Sequence, residues 1–225
     1  MDDDLTVGAL PHSMAGLSVT TVLTIIVPTL NEREDIEPLV ALLSEALPDT
    51  AWEAIFVDDD SRDGTSEHVR ALARRNPRVR CIQRIGRRGL ATACIEGVLA
   101  SCSPYIAVID ADLQHDERLL PGMLEALESG TVDLVIGSRY VAGGGFGDWN
   151  NGRIRISGIA TRLPHFICKA EIADPLSGFF MCRREVFEGA LHRMSGQGFK
   201  VLLDLLASSP EPVRVRELPY RFRER

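Results

Sequence analysis

Apolar residues along the chain follow two alternating rhythms. Short runs rich in β-branched and aliphatic residues, at 22–28 (VLTIIVP), 52–58 (WEAIFVD), 79–83 (VRCIQ), 105–110 (YIAVID) and 133–138 (DLVIGS), predict strands. Between them lie 34–47, 64–75, 90–101 and 117–130, where apolar residues recur at spacings of three and four, the period of a helix with one buried face. Strand and helix in strict alternation predict a parallel sheet covered by crossover helices. After Tyr140 the rhythm breaks at 141–152 (VAGGGFGDWNNG), whose glycines and Asn-Gly mark a loop. A helix-like stretch at 153–163 ends at Pro164; SGFFMCRR, one more helix and a last strand at 213–220 follow. No repeat or low-complexity segment interrupts this order.

At 225 residues and 45% apolar, the chain is long enough for one sizeable core. Residues 1–20 open on three acids, without the basic start or apolar stretch of a secretion signal, and read as a loose tail before a domain at 21–225. No apolar run approaches the ~18 residues of a membrane span, so membrane contact within this chain would be peripheral. A net charge of −7 argues against nucleic acid as partner, because neutralising phosphates takes a basic surface. Lys169 and Lys200 are the only lysines among 25 basic residues, and arginine suits bidentate phosphate contacts. Five cysteines without a CxxC pair point to a reducing compartment rather than zinc or disulfides.

The acids change the picture most. Asp58, Asp59 and Asp60 end the second strand, and Asp110 and Asp112 end the fourth. In a parallel sheet, ligands gather at the carboxyl ends of strands, so both groups point to one crevice. If the chain stays extended through 110–114, alternation puts Asp110, Asp112 and Gln114 on one face. Two carboxylates and an amide oxygen are hard ligands suited to Mg²⁺ or Mn²⁺, which complete their shell with water and substrate phosphates. Asp63 and Thr65 suit a helix cap, but three consecutive acids repel one another and call for a base, a ribose or a nearby cation. Gly89, at the start of a helix, offers free amides to an anion. The stretch 153–169 reads equally as a core-facing helix or an amphipathic one at a membrane interface.

IIVPTLNE, VDDDSRDGT, DADLQH, GSRY and DPLSGFFMCRRE occur in this order from Val22 to the end of the chain. In these motifs the sequence resembles family-2 glycosyltransferases, most closely the polyprenol (dolichyl) phosphate mannosyltransferase branch. The resemblance implies a GT-A (nucleotide-diphospho-sugar transferase) α/β fold, with a mostly parallel central sheet and helices on both faces. It also implies a donor nucleotide sugar, GDP-mannose in this branch, a polyprenyl phosphate acceptor, and a metal-dependent site worked from the cytoplasmic face of a membrane. By matching motif, Pro28, Leu30, Glu32, Val57 and Asp59 would hold the nucleoside, and Asp110, Asp112 and Gln114 the metal on the diphosphate. Arg139, Arg153 and Ser157 would meet phosphate, Asp174 would stand near the acceptor, and Arg225 would close on the nucleotide. Asp112, Arg139, Arg153 and Asp174 are the candidate catalytic set.

Three departures stand out. Leu30 replaces the family tyrosine of PTYNE and removes a stacking surface for the base; Arg62 replaces the proline of SPDGT; and the Gly-x-Ser-Lys-type segment that follows the family's last arginine lies past Arg225. The sequence therefore reads as a truncated catalytic domain whose relatives often carry membrane helices further on. Competing readings are a UDP-sugar enzyme acting on undecaprenyl phosphate, an inactive nucleotide-sugar binder, and a phosphoacceptor receiver built on Asp59, Asp110 and Ser138. A receiver would want a lysine at a strand end, and Lys169 lies outside one. GxGxxG after the first strand, GxxxxGK and GxSxG are absent, which sets aside dehydrogenases, P-loop enzymes and α/β-hydrolases.

Overall fold

The computed structural model describes residues 20–145 and 172–223. Seven strands, β1 (Leu23–Thr29), β2 (Trp52–Asp58), β3 (Val79–Gln83), β4 (Tyr105–Val108), β5 (Leu134–Ser138), β6 (Phe180–Arg183) and β7 (Val215–Pro219), form one sheet in the order β3-β2-β1-β4-β6-β5-β7. All run parallel except β6, which lies antiparallel between β4 and β5. Among the described residues six α-helices accompany them: α1 (Ile36–Ala46), α2 (Thr65–Ala73), α3 (Leu90–Leu99), α4 (Leu120–Glu128), α5 (Arg184–Leu191) and α6 (Val201–Ser208).

Both faces of the sheet are covered, and the alternation of strand residues decides which face each serves. Leu23, Ile25 and Val27 of β1 pack with Leu39 and Leu43 of α1 and Met123 and Leu127 of α4, whereas Ile26 packs with Ala91, Cys94 and Val98 of α3. Burial of about 25 cal/mol per Å² across both faces is the main term holding the layers together. Cys94 and Cys182 lie inside, where burial pushes the Cys182 thiol up to about 12, and the four described cysteines are free.

From β1 the chain moves outward through β2 to β3, then returns to place β4 on the other side of β1. That reversal opens a crevice at the carboxyl ends of β1 and β4. Pro28 marks the spot. β1 pairs with β4 only from Leu23 to Ile26, so Pro28, which has no N–H to give a ladder, falls just past the last pair.

Strand positions expected from the sequence recur within a residue or two. One helix was expected between SGFFMCRR and the last strand; there are two, α5 and α6, separated by the loop 192–200. The helix expected at 153–163 lies outside the described residues. Among the described residues no helix is long and apolar enough to cross a membrane.

Candidate functional site

The loop after β4 carries the first acidic group. The strand ends at Val108, and the chain turns instead of staying extended, with Leu113 in the left-handed region at φ 63°. Strict alternation therefore does not bring Asp110, Asp112 and Gln114 together; local contacts position each. The Asp110 side chain is 38% exposed, and its Oδ2 accepts from His115 Nε2 at 3.0 Å. Asp112 Oδ1 accepts from the Gln114 amide at 3.1 Å, closing the turn. Gln114 donates from Nε2 to the Arg223 carbonyl at 3.1 Å, while the Arg223 amide donates to the Gln114 carbonyl at 2.8 Å. With one Nε2 hydrogen on Arg223, the acceptor of the Gln114 side chain is Oε1. Among the described residues no group of three or more His, Cys, Asp or Glu side chains stands ready to hold a metal ion. Asp110, Asp112 and Gln114 are oxygen donors on one loop, the ligand type that Mg²⁺ and Mn²⁺ take together with water and phosphate.

The three acids at the end of β2 each have an internal partner, which for Asp60 is the Gly86 amide at 3.4 Å. Asp58 accepts from the Ser61 amide at 3.1 Å, from the Ser61 hydroxyl and from Ser66 Oγ at 2.5 Å. Asp59 is paired with the guanidinium of Arg84, and its Oδ2 accepts from the Gly89 amide at 2.6 Å. Asp60 takes the left-handed φ of 62° that turns the chain away. The repulsion that called for a base, a ribose or a cation is answered by the protein's own cation, Arg84, 2% exposed and also bound to Glu96, Thr92 and the Gly89 carbonyl. Gly89 does hold an anion with its amide, and that anion is Asp59. The N-cap of α2 is Gly64, at φ 86° and without a side-chain cap bond, and not Asp63 or Thr65 as expected; Asp63, one residue earlier, accepts from the Thr65 amide at 3.0 Å through Oδ1 and from the Arg33 amide at 3.1 Å through Oδ2. This ties the loop after β1, with Leu30 and Glu32, to the start of α2.

Pro28 and Val57 are buried; Val57 lies in the core beside α3, so its side chain supports the strand end from behind. Leu30 is 41% exposed at the rim.

Arg139, just past β5, donates from Nε and Nη2 to the two oxygens of Asp174, each at 2.8 Å, and its amide donates to the same carboxylate at 3.1 Å. Burial works to lower the guanidinium's pKa, but the bonds to Asp174 outweigh it and hold the value above the usual one. Asp174 is wholly buried, and Glu217 of β7 accepts from its amide at 3.0 Å and from that of Ala173 at 2.8 Å. Asp174 therefore orients Arg139 and has no free face of its own for an acceptor. Arg153, Ser157 and Arg225 lie outside the described residues.

Arg84, His115, Glu217, Tyr220 and Arg223 were not expected from the sequence. His115 follows DADLQ directly, so its neighbourhood was visible, but its partner Tyr220 stands 105 positions away.

A mostly parallel sheet with one antiparallel strand and carboxylates beside its switch point fits the GT-A fold of nucleotide-diphospho-sugar transferases. Residues 24–190 match the model of glycosyl transferase family 2, and the chain belongs to that family. It is 38% identical over 206 residues to a dolichol-phosphate mannosyltransferase of Pyrococcus furiosus, an alignment covering 88% of this chain and 56% of the relative. The same identity over 208 residues relates it to the dolichol-phosphate mannosyltransferase of Saccharomyces cerevisiae, covering 88% and 76%. The chain thus spans little more than half the length of the archaeal relative. In fold it is similar to the glucosyl-3-phosphoglycerate synthase of Mycobacterium tuberculosis in complex with Mn²⁺, UDP and phosphoglyceric acid. That match has a TM-score of 0.63 and 20% identity, covering 91% of this chain and 72% of the other.

Proposed function

We propose that residues 21–225 form a catalytic domain that moves mannose from GDP-mannose to the phosphate of a polyprenyl, dolichyl-type lipid, with inversion at the anomeric carbon. The observation that carries this reading is the 38% identity, across 88% of the chain, to mannosyltransferases of that name in an archaeon and a yeast.

Asp110, Asp112 and Gln114 would hold a divalent cation, Mg²⁺ or Mn²⁺, and the oxygen-only donor set fits one. Bound there, the ion would offset charge on the departing diphosphate. Pro28, Leu30, Glu32, Val57 and Asp59 would shape the nucleoside end of the crevice, with Asp59 held still by Arg84. Arg139, fixed by Asp174, would present guanidinium charge to phosphate, joined by Arg153 and Ser157 on the acceptor side and Arg225 on the donor side. In the reaction an acceptor phosphate oxygen forms a bond to the anomeric carbon while the bond from that carbon to the diphosphate breaks. GDP leaves with the electron pair. The acceptor monoester, with a second pKa of about 6, is already largely dianionic at pH 7, so the site needs positioning and charge rather than a strong base. Such a domain would work at the cytoplasmic face of a membrane, where Leu30 and Ile85 stand exposed at the carboxyl ends of β1 and β3.

Thermal unfolding with GDP or UDP, each with and without Mn²⁺, tests the donor and the ion together. A ligand at 100 times its dissociation constant adds roughly 2.7 kcal/mol of stability. GDP with Mn²⁺ is expected to raise Tm and Asp112→Ala to abolish the rise, and wild type is expected to move labelled mannose from GDP-mannose onto dolichyl phosphate. A shift with UDP alone would remove GDP-mannose as donor.

A further inference from the structure

We propose that His115 and Tyr220 are positioning residues for the divalent cation, joined in a relay that fixes one oxygen of Asp110 and leaves the other to the ion. This rests on the reading of Asp110 as a metal ligand.

Two short contacts join the three side chains. Tyr220 Oη and His115 Nδ1 are 2.8 Å apart, and His115 Nε2 stands 3.0 Å from Asp110 Oδ2. A carboxylate can only accept, so Nε2 carries a hydrogen and donates to Asp110, while Nδ1 shares the second bond with the Tyr220 hydroxyl. Both ring nitrogens are used.

Packing locks the arrangement. His115 is 3% exposed and sits against Phe179, Tyr220 and Phe222, with ring centroids 5.3, 5.7 and 5.5 Å away. Tyr220 is pinned by its main chain: its amide donates to the Ser138 carbonyl and its carbonyl accepts from the Gly145 amide, each at 3.1 Å. On the other flank of Asp110, a Cβ at Gly178 would stand 2.6 Å from Oδ2, so the backbone of that residue walls in the oxygen His115 holds. If packing alone were required, Phe and Leu would fill the space without the desolvation cost of an imidazole and a phenol. The polar atoms of both side chains instead lead to a single carboxylate oxygen. Partners of this kind, one step behind a ligand, set its orientation and basicity.

Mn²⁺ uptake in the presence of GDP, followed by the EPR signal of the free ion against a GDP blank, reads this out without turnover. Tyr220→Phe removes one oxygen and keeps the ring, and His115→Leu removes both bonds; each is expected to weaken Mn²⁺ about 10-fold or more. His115→Gln, whose amide can donate to Asp110 and accept from Tyr220, is expected to recover most of the affinity. Calorimetric Tm without metal shows that each variant is folded, and Tyr220→Phe decides the matter if His115→Leu is not. Wild-type affinity in Tyr220→Phe, with Asp112→Ala losing the ion, overturns the relay and leaves the metal site standing. Failure of wild type to take up Mn²⁺, or wild-type uptake by Asp112→Ala, overturns the metal site and the relay with it.

Discussion

Burying a guanidinium costs several kcal/mol unless its N–H groups are answered, and Arg84 answers its own with Asp59, Glu96, Thr92 and the Gly89 carbonyl. Arg84→Met would keep the volume and strand the Asp59 carboxylate, whose side chain is only 10% exposed. The expected loss is about 3–5 kcal/mol in urea unfolding, the range for removing one partner of a buried pair. The position of Asp110 and Asp112 just past β4 could be read from the sequence, because the apolar run before them marks the strand; the turn at Leu113 that breaks their alternation could not. Arg84 could not. In IQRIGRR it looks like one more basic residue of a surface turn, and only the fold puts a carboxylate 25 positions upstream against it. The pairing of Asp174 was hidden for the same reason, since the Arg139 that binds its carboxylate lies 35 positions away.

Helix α3 lies against β1 and β2 at Gly97, where a methyl group would stand 2.7 Å from Ile26 Cγ2 and 3.0 Å from Val57 Cγ2. Helix propensity alone would favour Gly97→Ala by about 1 kcal/mol. Overpacking between two buried strands outweighs that, so the substitution is expected to destabilise by about 1–3 kcal/mol, measured by the denaturant midpoint. Elements with a clear period were well placed from the sequence: 52–58 and 79–83 match β2 and β3. The direction of β6 was not, because an apolar run such as FMCR carries no sign of which way it crosses the sheet. α6 was missed for another reason. VLLDLLAS is apolar nearly all round, and its first turn has no side-chain cap, so neither period nor boundary stands out.

At the scale of the whole molecule, β7 completes the sheet and brings the last described residues to the crevice. Its start is stapled to β5 by Asp133, which accepts from Arg214 Nε at 2.8 Å and Nη2 at 2.6 Å. The Arg214 bond holds the Asp133 carboxyl below its ordinary 3.8. The folded value being the lower one, this contribution is fully present above about pH 4 to 5 and is lost as the pH falls through the folded value. Asp133→Asn should therefore lower Tm at pH 7 and flatten its decline below pH 4, checked by calorimetry across that range. Net charge and composition indicated an acidic protein with one core, and the alternation of periods an α/β sheet, but neither held anything about the order in which its parts meet. Tyr220 and Arg223 reach back 105 and 109 positions to His115 and Gln114. At about 5–20 residues per second of synthesis, the acidic loop leaves the ribosome some 5–20 seconds before the segment that aligns it. A nascent chain can thus have β1 to β4 paired and still lack a formed crevice, so this part of the protein is made early and matures last.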